Sequence, residues 1–269
     1  MDKMIYVAMS GAKSAMALQA TNNHNLANIN TTGFREDLAA SVTHNVPDQA
    51  LQTRAYVDVD TKGVNVSAGQ IVNTGRDLDI AIEGDGLIAV MNPDGSEAYT
   101  RAGNLRISPT GLLETIDGLP VMGNNGPITI SPYESLEIAE DGTISIVPLG
   151  DEGGTLAVLD RIKLVNPDTD QLQRNNNGTL GLPPQLVRKT TLVATEEGGV
   201  ERNVATEYQQ PFVGADGTVT VVNGALETSN VNPSHAMITM VELSRIFEMQ
   251  MKLMKTAEEN DAAINRILT

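Results

Sequence analysis

Four carboxylates crowd into nine residues of this chain: Asp77, Asp79, Glu83 and Asp85. Paired acids at close spacing are what hydrolysis of a glycosidic bond requires, one carboxyl giving a proton while the other takes one or attacks. Yet Asp77, Asp79 and Glu83 alternate with Leu78, Ile80 and Ile82, which is also the pattern of a half-buried strand with its acidic face in water. The next residues, Gly84-Asp85-Gly86-Leu87-Ile88-Ala89, fit the G-x-G-x-x-A fingerprint of dinucleotide-binding folds. That fingerprint needs a helix to follow, and Pro93-Asp94-Gly95 arrives too soon, so the glycines read as a tight turn. Asp58-Val59-Asp60-Thr61-Lys62-Gly63 imitates the start of a calcium loop but has Lys62 at the fifth position and Gly69 at the twelfth, where a carboxylate should sit. His24, His44 and His235 stand at no metal-ligand spacing, and neither H-E-x-x-H nor G-x-S-x-G occurs. With no cysteine, zinc ribbons, iron–sulfur clusters, disulfides and thiol nucleophiles are excluded. No catalytic, cofactor-binding or metal-binding set emerges, and no cofactor is expected. A secreted β-rich carbohydrate-active enzyme using the acidic strand survives only as an alternative.

The composition narrows the partners. Thirty-four acidic side chains against eighteen basic ones set the net charge at −16, which argues against nucleic acid, since binding phosphates requires clustered Lys and Arg. The apolar run Met4–Met9 is too short for a secretory signal, and no stretch approaches a membrane span. A soluble protein without a cleaved leader is expected.

The elements that would position any site have two different periods. Ile5, Ala8, Ala12, Ala15/Met16, Gln19, Asn22/Asn23 and Leu26 recur three and four apart, predicting a helix from about Asp2 to Ile29 that Thr31-Thr32-Gly33 closes. Met240, Leu243, Phe247, Gln250/Met251, Met254, Ala257, Asp261, Ile264 and Leu268 repeat that beat at the other end, with Asn232-Pro233-Ser234 as the start signal. Between them the beat is two, at Leu78/Ile80/Ile82, Leu105/Ile107, Ile128/Ile130, Leu136/Ile138 and Ile144/Ile146. Turn dipeptides follow at Asp94-Gly95, Asp117-Gly118, Asp141-Gly142 and Asp216-Gly217. The first three are nearly evenly spaced, but their surroundings do not repeat and no solenoid is inferred.

The predicted fold class is therefore α+β: terminal helices pairing as a coiled-coil-like inner domain, with a mainly antiparallel β middle domain. The expected segments are a helix in 1–35, an extended connector in 36–75, a β-rich domain in 76–225 and a helix in 226–269. The longest exposed loops are expected within 166–217.

The helices carry the sharper signal. Asn22, Asn23, Asn25, Asn28 and Asn30 are many amides for a helix, and amides buried in a seam fix register and partner choice at a cost in stability. His24, among them, reads as a polar packing position. Met237, Met240, Met249, Met251 and Met254 give the second helix thioethers that repack against more than one surface. Either the two stripes form a private core within one monomer, or another chain covers them, since no third helix is available. The expected interface is Ile5, Ala8, Ala12, Met16, Asn23 and Leu26 with Met240, Leu243, Phe247, Met251, Met254, Ile264 and Leu268.

Several blocks resemble a known family. Asn25-Leu26-Ala27-Asn28-Ile29-Asn30-Thr31-Thr32-Gly33-Phe34-Arg35 is similar to the N-terminal signature of flagellar rod and hook proteins, in which Asn25, Leu26, Ala27, Asn28, Gly33 and Phe34 are the matching positions. Thr74-Gly75 with Leu78–Gly86, Tyr99-Thr100-Arg101-Ala102-Gly103, and Leu226-Glu227-Thr228-Ser229-Asn230-Val231-Asn232 resemble its central and closing blocks. Leu87-Ile88 stands where the family often has Phe-Phe, and 182–214 is longer than usual. The chain thus resembles the axial proteins of the bacterial flagellum, and the opening Met1–Tyr6 and closing Arg245–Met254 resemble its proximal-rod members.

This resemblance implies a structural subunit, not an enzyme, that assembles helically into part of the drive shaft across the periplasm. The terminal helices would lie side by side in an inner tube, with the β domain outside. The implied partners are copies of itself, other rod proteins and the flagellar type III export apparatus, with no small-molecule ligand. Phe34 and Leu38 resemble the Phe-x-x-x-aliphatic export element. Distal rod or hook-type axial subunits are the close alternatives.

Overall fold

Asn232 sets the start of the last helix by chemistry local to the chain. In a computed structural model, which describes residues 4–45, 55–150, 155–183, 185–194, 200–209 and 212–268, the Asn232 Oδ1 accepts from the Ser234 and His235 N–H groups at 3.0 and 3.2 Å. Pro233 takes the first helical position, where its missing N–H costs nothing. The helix, α2, runs Pro233–Leu268; the first helix, α1, runs Met4–Ala27. After α1 the chain turns through Asn28–Gly33, and Gly33 adopts φ +66°, the left-handed region that glycine enters without strain.

The chain divides into two compact units, Met1–Gln70 with Thr228–Thr269, and Ile71–Glu227. In the first, α1 and α2 run antiparallel: Gly11 lies against Gln250, Gln19 reaches Ser244, and the Asn22 amide donates to the Ala236 carbonyl at 2.8 Å. Close approach is possible because the buried face of α1 is small, with Ala8, Ala12 and Ala15 beside Gly11. A Cβ at Gly11 would fall 2.9 Å from the Gln250 side chain.

Residues 36–75, expected as a connector, instead hold a long antiparallel hairpin, β1 (Asp37–Asn45) with β2 (Ala55–Val64), irregular between Leu38 and Ala39. It packs against α1, with Ser14 and Ser41 hydroxyls 3.4 Å apart. The many Thr, Asn and Asp residues of this segment fit a hairpin covered on one side only. The calcium-like Asp58–Gly63 run lies within β2.

The second unit is antiparallel β. It begins with β3 (Ile71–Asn73), paired with Ala225–Glu227, and β4 (Ile80–Glu83), paired with Thr220–Asn223. A five-stranded sheet contains β5 (Leu87–Met91) and β6 (Glu97–Thr100), and β7 (Leu105–Ile107) pairs with β8 (Leu113–Thr115). Strands Tyr133–Ile138, Thr143–Pro148 and Ala157–Arg161 form a three-stranded sheet. Its continuous core includes Ile80, Ile88, Leu113, Val121, Ile144 and Leu164. Ile128 and Ile130 join that core from an irregular stretch rather than a strand.

One expectation fails here for a physical reason. Strand β4 is not half-buried: Ile80, Ala81 and Ile82 are all buried, because this short strand is covered on both faces. Within 166–217, where the longest exposed loops are expected, Gln185–Ala194 and Val200–Gln209 form a hairpin of ten-residue strands. Its Thr and Val residues are β-branched, which suits strands even where charges interrupt the alternation.

Three of the Asp-Gly turns share one device. Asp94, Asp141 and Asp216 each accept from the backbone N–H and hydroxyl of the Ser or Thr two residues on. The Ser96 and Thr143 hydroxyl bonds, and the Thr218 backbone bond, are the leading causes holding these carboxyls below their ordinary range. A carboxylate depressed in the folded state contributes fully above its unfolded pKa, about 3.9, and loses that contribution as pH falls through the native value. The Ser96, Thr143 and Thr218 amide resonances are therefore expected to stay fixed at neutral pH and to move only below about pH 3.9. Titration of those resonances above that range would contradict the arrangement.

Candidate assembly interface

The acidic strand does not form a catalytic pair. Asp79 is 1% exposed, not on a solvated face, and its carboxylate receives the Thr74 hydroxyl at 2.8 Å and faces Arg76 at 3.4 Å. Asp77, Glu83 and Asp85 are exposed. Gly84 and Gly86, at φ +77° and +137°, make a turn into strand β5, where nucleotide binding would need a helix. Among the described residues no three His, Asp or Glu converge as metal ligands.

The polar groups buried in both units serve connections. In the first, Asn25 is 4% exposed, and its amide donates to the Asp37 carbonyl at 3.0 Å while accepting from the Asp37 N–H at 2.9 Å. It ties the end of α1 to β1 as another strand would. His24, exposed rather than packed in, lies 2.9 Å from the Asp37 carboxylate and edge-on to the Phe34 ring. Replacing Asn25 by Ala leaves both Asp37 backbone groups without that partner and is expected to cost about 1–3 kcal/mol. The exposed Asn23 should tolerate Ala within about 0.5 kcal/mol. Urea unfolding of the two variants checks the contrast.

Phe34 is 7% exposed and packs with Val231 and Ala236, bordered by Leu26 and Ile29. Asn230 closes the same junction: its Oδ1 accepts from the Glu36 N–H at 2.7 Å, and its amide donates to the Asn65 and Ser67 carbonyls at 2.8 and 3.0 Å. The 25–35 block and the 230–236 stretch are therefore one constellation. A second lies in the β unit, where Arg101 meets Glu227 at 2.8 Å with both side chains at most 2% exposed. Lys163 binds both Glu97 oxygens at 2.7 and 2.8 Å, and the Phe212 ring lies over its ammonium at 3.5 Å.

The expected interface residues divide between two surfaces. Ala8, Ala12 and Leu243 are buried, and Ile5, Leu26, Met240, Phe247 and Met254 are half-buried. Met16, Asn23 and Met251 are exposed. The side chains of Ile264 and Leu268 lie outside the described residues. Of the signature residues Asn25, Gly33 and Phe34 are buried and Ala27 is exposed, and of the export pair Leu38 is exposed while Phe34 is not.

The periodicity did not single out a second apolar surface. Tyr6, Met9 and Met16 on α1 are 53–59% exposed, and Met237, Ile238, Val241 and Met249 on α2 are 49–58% exposed. At about 100° per residue these stripes lie on the far side of each helix from its buried face. Each helix thus carries exposed apolar side chains opposite its buried face, interrupted by Lys13 on α1 and by Glu242, Arg245, Glu248 and Lys252 on α2. The sequence does hold the signal, in the seven-residue spacing of Met9 and Met16, but the alanine seam competes with it. No helix among the described residues is long and apolar enough to cross a membrane.

A terminal helix pair with exposed apolar side chains, joined in sequence to a β unit whose buried charges Arg101, Glu227 and Lys163 are paired, suits a subunit of a larger protein assembly. Comparison with known proteins specifies which. Residues 222–267 match the family model described as flagellar basal body rod FlgEFG protein C-terminal, and 81–146 match that of the flagellar hook protein FlgE/F/G D1 domain. The flagellar basal-body rod protein FlgF of Salmonella typhimurium is 39% identical over all of this chain and 99% of its own length. That of Escherichia coli K12 is 38% identical with the same coverage, and rod protein FlgG of Bacillus subtilis 168 is 28% identical over 96% of each chain. The chain belongs to the flagellar basal-body rod protein family of FlgF type, whose members are structural proteins of the flagellum and not enzymes.

Proposed function

We propose that this chain is a structural subunit of the proximal rod, assembling helically with copies of itself and with other rod proteins into part of the drive shaft across the periplasm. The observation that carries the reading is the apolar outer face of each terminal helix. In a polymer those exposed apolar side chains become subunit contacts, and heterologous contacts on a screw axis build a filament. The antiparallel helix pair then acts as a coiled-coil-like inner domain spanning 1–35 and 226–269, and the β-rich 76–225 as the outer domain.

Passage through the flagellar type III export apparatus completes the proposal. Phe34 and Leu38 would be read as an export element before folding, since folding buries Phe34. No nucleic acid, cofactor or small-molecule ligand enters this role.

Charged substitutions on the outer stripe separate assembly from folding. Val241→Glu with Met249→Glu is expected to keep the urea midpoint within about 0.5 kcal/mol of the parent, because both positions are exposed. Cells relying on that variant should lack complete rods and fail to swim. Normal basal bodies containing it would overturn the proposal.

A further inference from the structure

A groove in the helical unit has a wall from each of three elements, with Leu18 of α1, Leu38 of β1 and Leu243 of α2 among its lining residues. Its volume is about 240 Å³. Glu36 and Asp37 add carboxylates to the β1 wall. One oxygen of each is already held, by the Asn65 amide at 3.1 Å and by His24 at 2.9 Å, which fixes the charge in place.

The far side of α1 has the complementary character. Its exposed stripe of Tyr6, Met9 and Met16 has Lys13 in its middle, and α1 has no carboxylate from Met4 to Ala27. That is a pronounced local exception in a chain of net charge −16. The exposed side of α2 is less suited to an acidic groove, because Glu242 and Glu248 interleave there with Arg245 and Lys252. Around α1, the groove-lining positions and the stripe are separated by roughly 150°, at about 100° per residue.

We infer that the α1 stripe of one copy seats in the α1–β1–α2 groove of the next, its methionines meeting Leu18, Leu38 and Leu243 and Lys13 meeting Glu36 and Asp37. Groove and stripe sit on opposite sides of one helix, so each copy offers one while filling another, which makes the contact head-to-tail and able to propagate. Unbranched thioethers suit a groove whose shape they can follow. The pairing rests on the rod reading above and adds to it which face meets which.

The chain has no cysteine, so single substitutions report proximity without background. Met16→Cys and Leu38→Cys replace side chains 58% and 40% exposed, which leaves the packing in place. Basal bodies from cells producing both single variants are oxidised mildly, and the covalent dimer is weighed against the same experiment with Met16→Cys and Ile116→Cys, Ile116 being an exposed residue of the β unit. The first pair should give at least about tenfold more dimer, because fixed neighbours react at a far higher effective concentration than chance encounters. Adding Lys13→Glu to the Met16→Cys chain should lower that yield several-fold. Basal bodies that contain the chain without the excess overturn this pairing and leave the rod assignment standing, as does a yield indifferent to Lys13→Glu. Basal bodies that lack the chain overturn both.

Discussion

Replacing Glu227 by Ala is expected to destabilise the β unit by about 3–5 kcal/mol, the usual cost of leaving one partner of a buried ion pair uncompensated. The Arg101 guanidinium is 2% exposed in side-chain terms and bonds Glu227 at 2.8 Å. It also donates to the Ile82 carbonyl at 3.2 Å and to the Gly84 carbonyl. Without the carboxylate, a full positive charge stays buried beside the Ile82 and Gly84 carbonyls and loses that counter-charge. For a unit of this size the loss corresponds to a melting temperature lowered by on the order of 10 °C. Removing both charges, as Arg101→Met with Glu227→Leu, should recover much of the loss, because the desolvation cost disappears together with the attraction. The exposed pair Arg106–Glu114, at 2.9 Å, supplies the contrast: Glu114→Ala should cost no more than about 1 kcal/mol. Urea unfolding of the full chain measures all three. A Glu227→Ala loss near that of Glu114→Ala would show that the pair is not the anchor described here.

That pair joins two sequence blocks separated by more than a hundred residues, and it marks the limit of what the sequence discloses. Features set by neighbours along the chain were legible: Asn232-Pro233 as the start of α2, Gly33 as the turn after α1, and the Asp-Gly turns. Features set by distant partners were not. Asp79 looked solvent-facing because alternation says nothing about the covering of the second face of β4, and the strand Thr220–Asn223 that pairs with β4 lies far along the chain. The excess of Asn on the first helix was visible, but its purpose was not, since Asn25 serves the backbone of β1 and Asn22 that of α2. The helix seam was half legible. Of the residues expected at the assembly interface, Ala8, Ala12 and Leu243 are buried within this chain while Met16 and Met251 are exposed, because period alone does not say which part of a stripe the chain's own elements cover. Tyr6 and Met9 fell outside the pattern altogether, and they belong to the surface argued here to carry assembly.

Gly103→Ala is expected to be as damaging as the loss of Glu227, through contact rather than charge. Gly103 does not have a positive φ, so alanine is no strain on its own backbone. The obstacle is the Ile80 carbonyl oxygen, 1.7 Å from where the new Cβ would sit, with the Ile80 carbonyl carbon at 2.8 Å. The Ile80 N–H also donates to the Gly103 carbonyl at 3.0 Å, so the two segments cannot part without breaking a backbone hydrogen bond. Ile80 is wholly buried in the core and Asp79 beside it is tied to Thr74, which leaves β4 no free direction to move. The cost should therefore exceed the 1–3 kcal/mol typical of an added methyl in a packed core, reaching about 4 kcal/mol or preventing folding. Gly95→Ala isolates the other way in which glycine matters. Its φ is +82° with nothing within 4 Å of a new Cβ, so only the left-handed backbone penalty applies, about 1–2 kcal/mol. Comparing soluble yield and urea midpoints of the two variants distinguishes the mechanisms: if Gly103→Ala unfolds no more easily than Gly95→Ala, the close approach of the Tyr99–Gly103 block to β4 is not what requires glycine there.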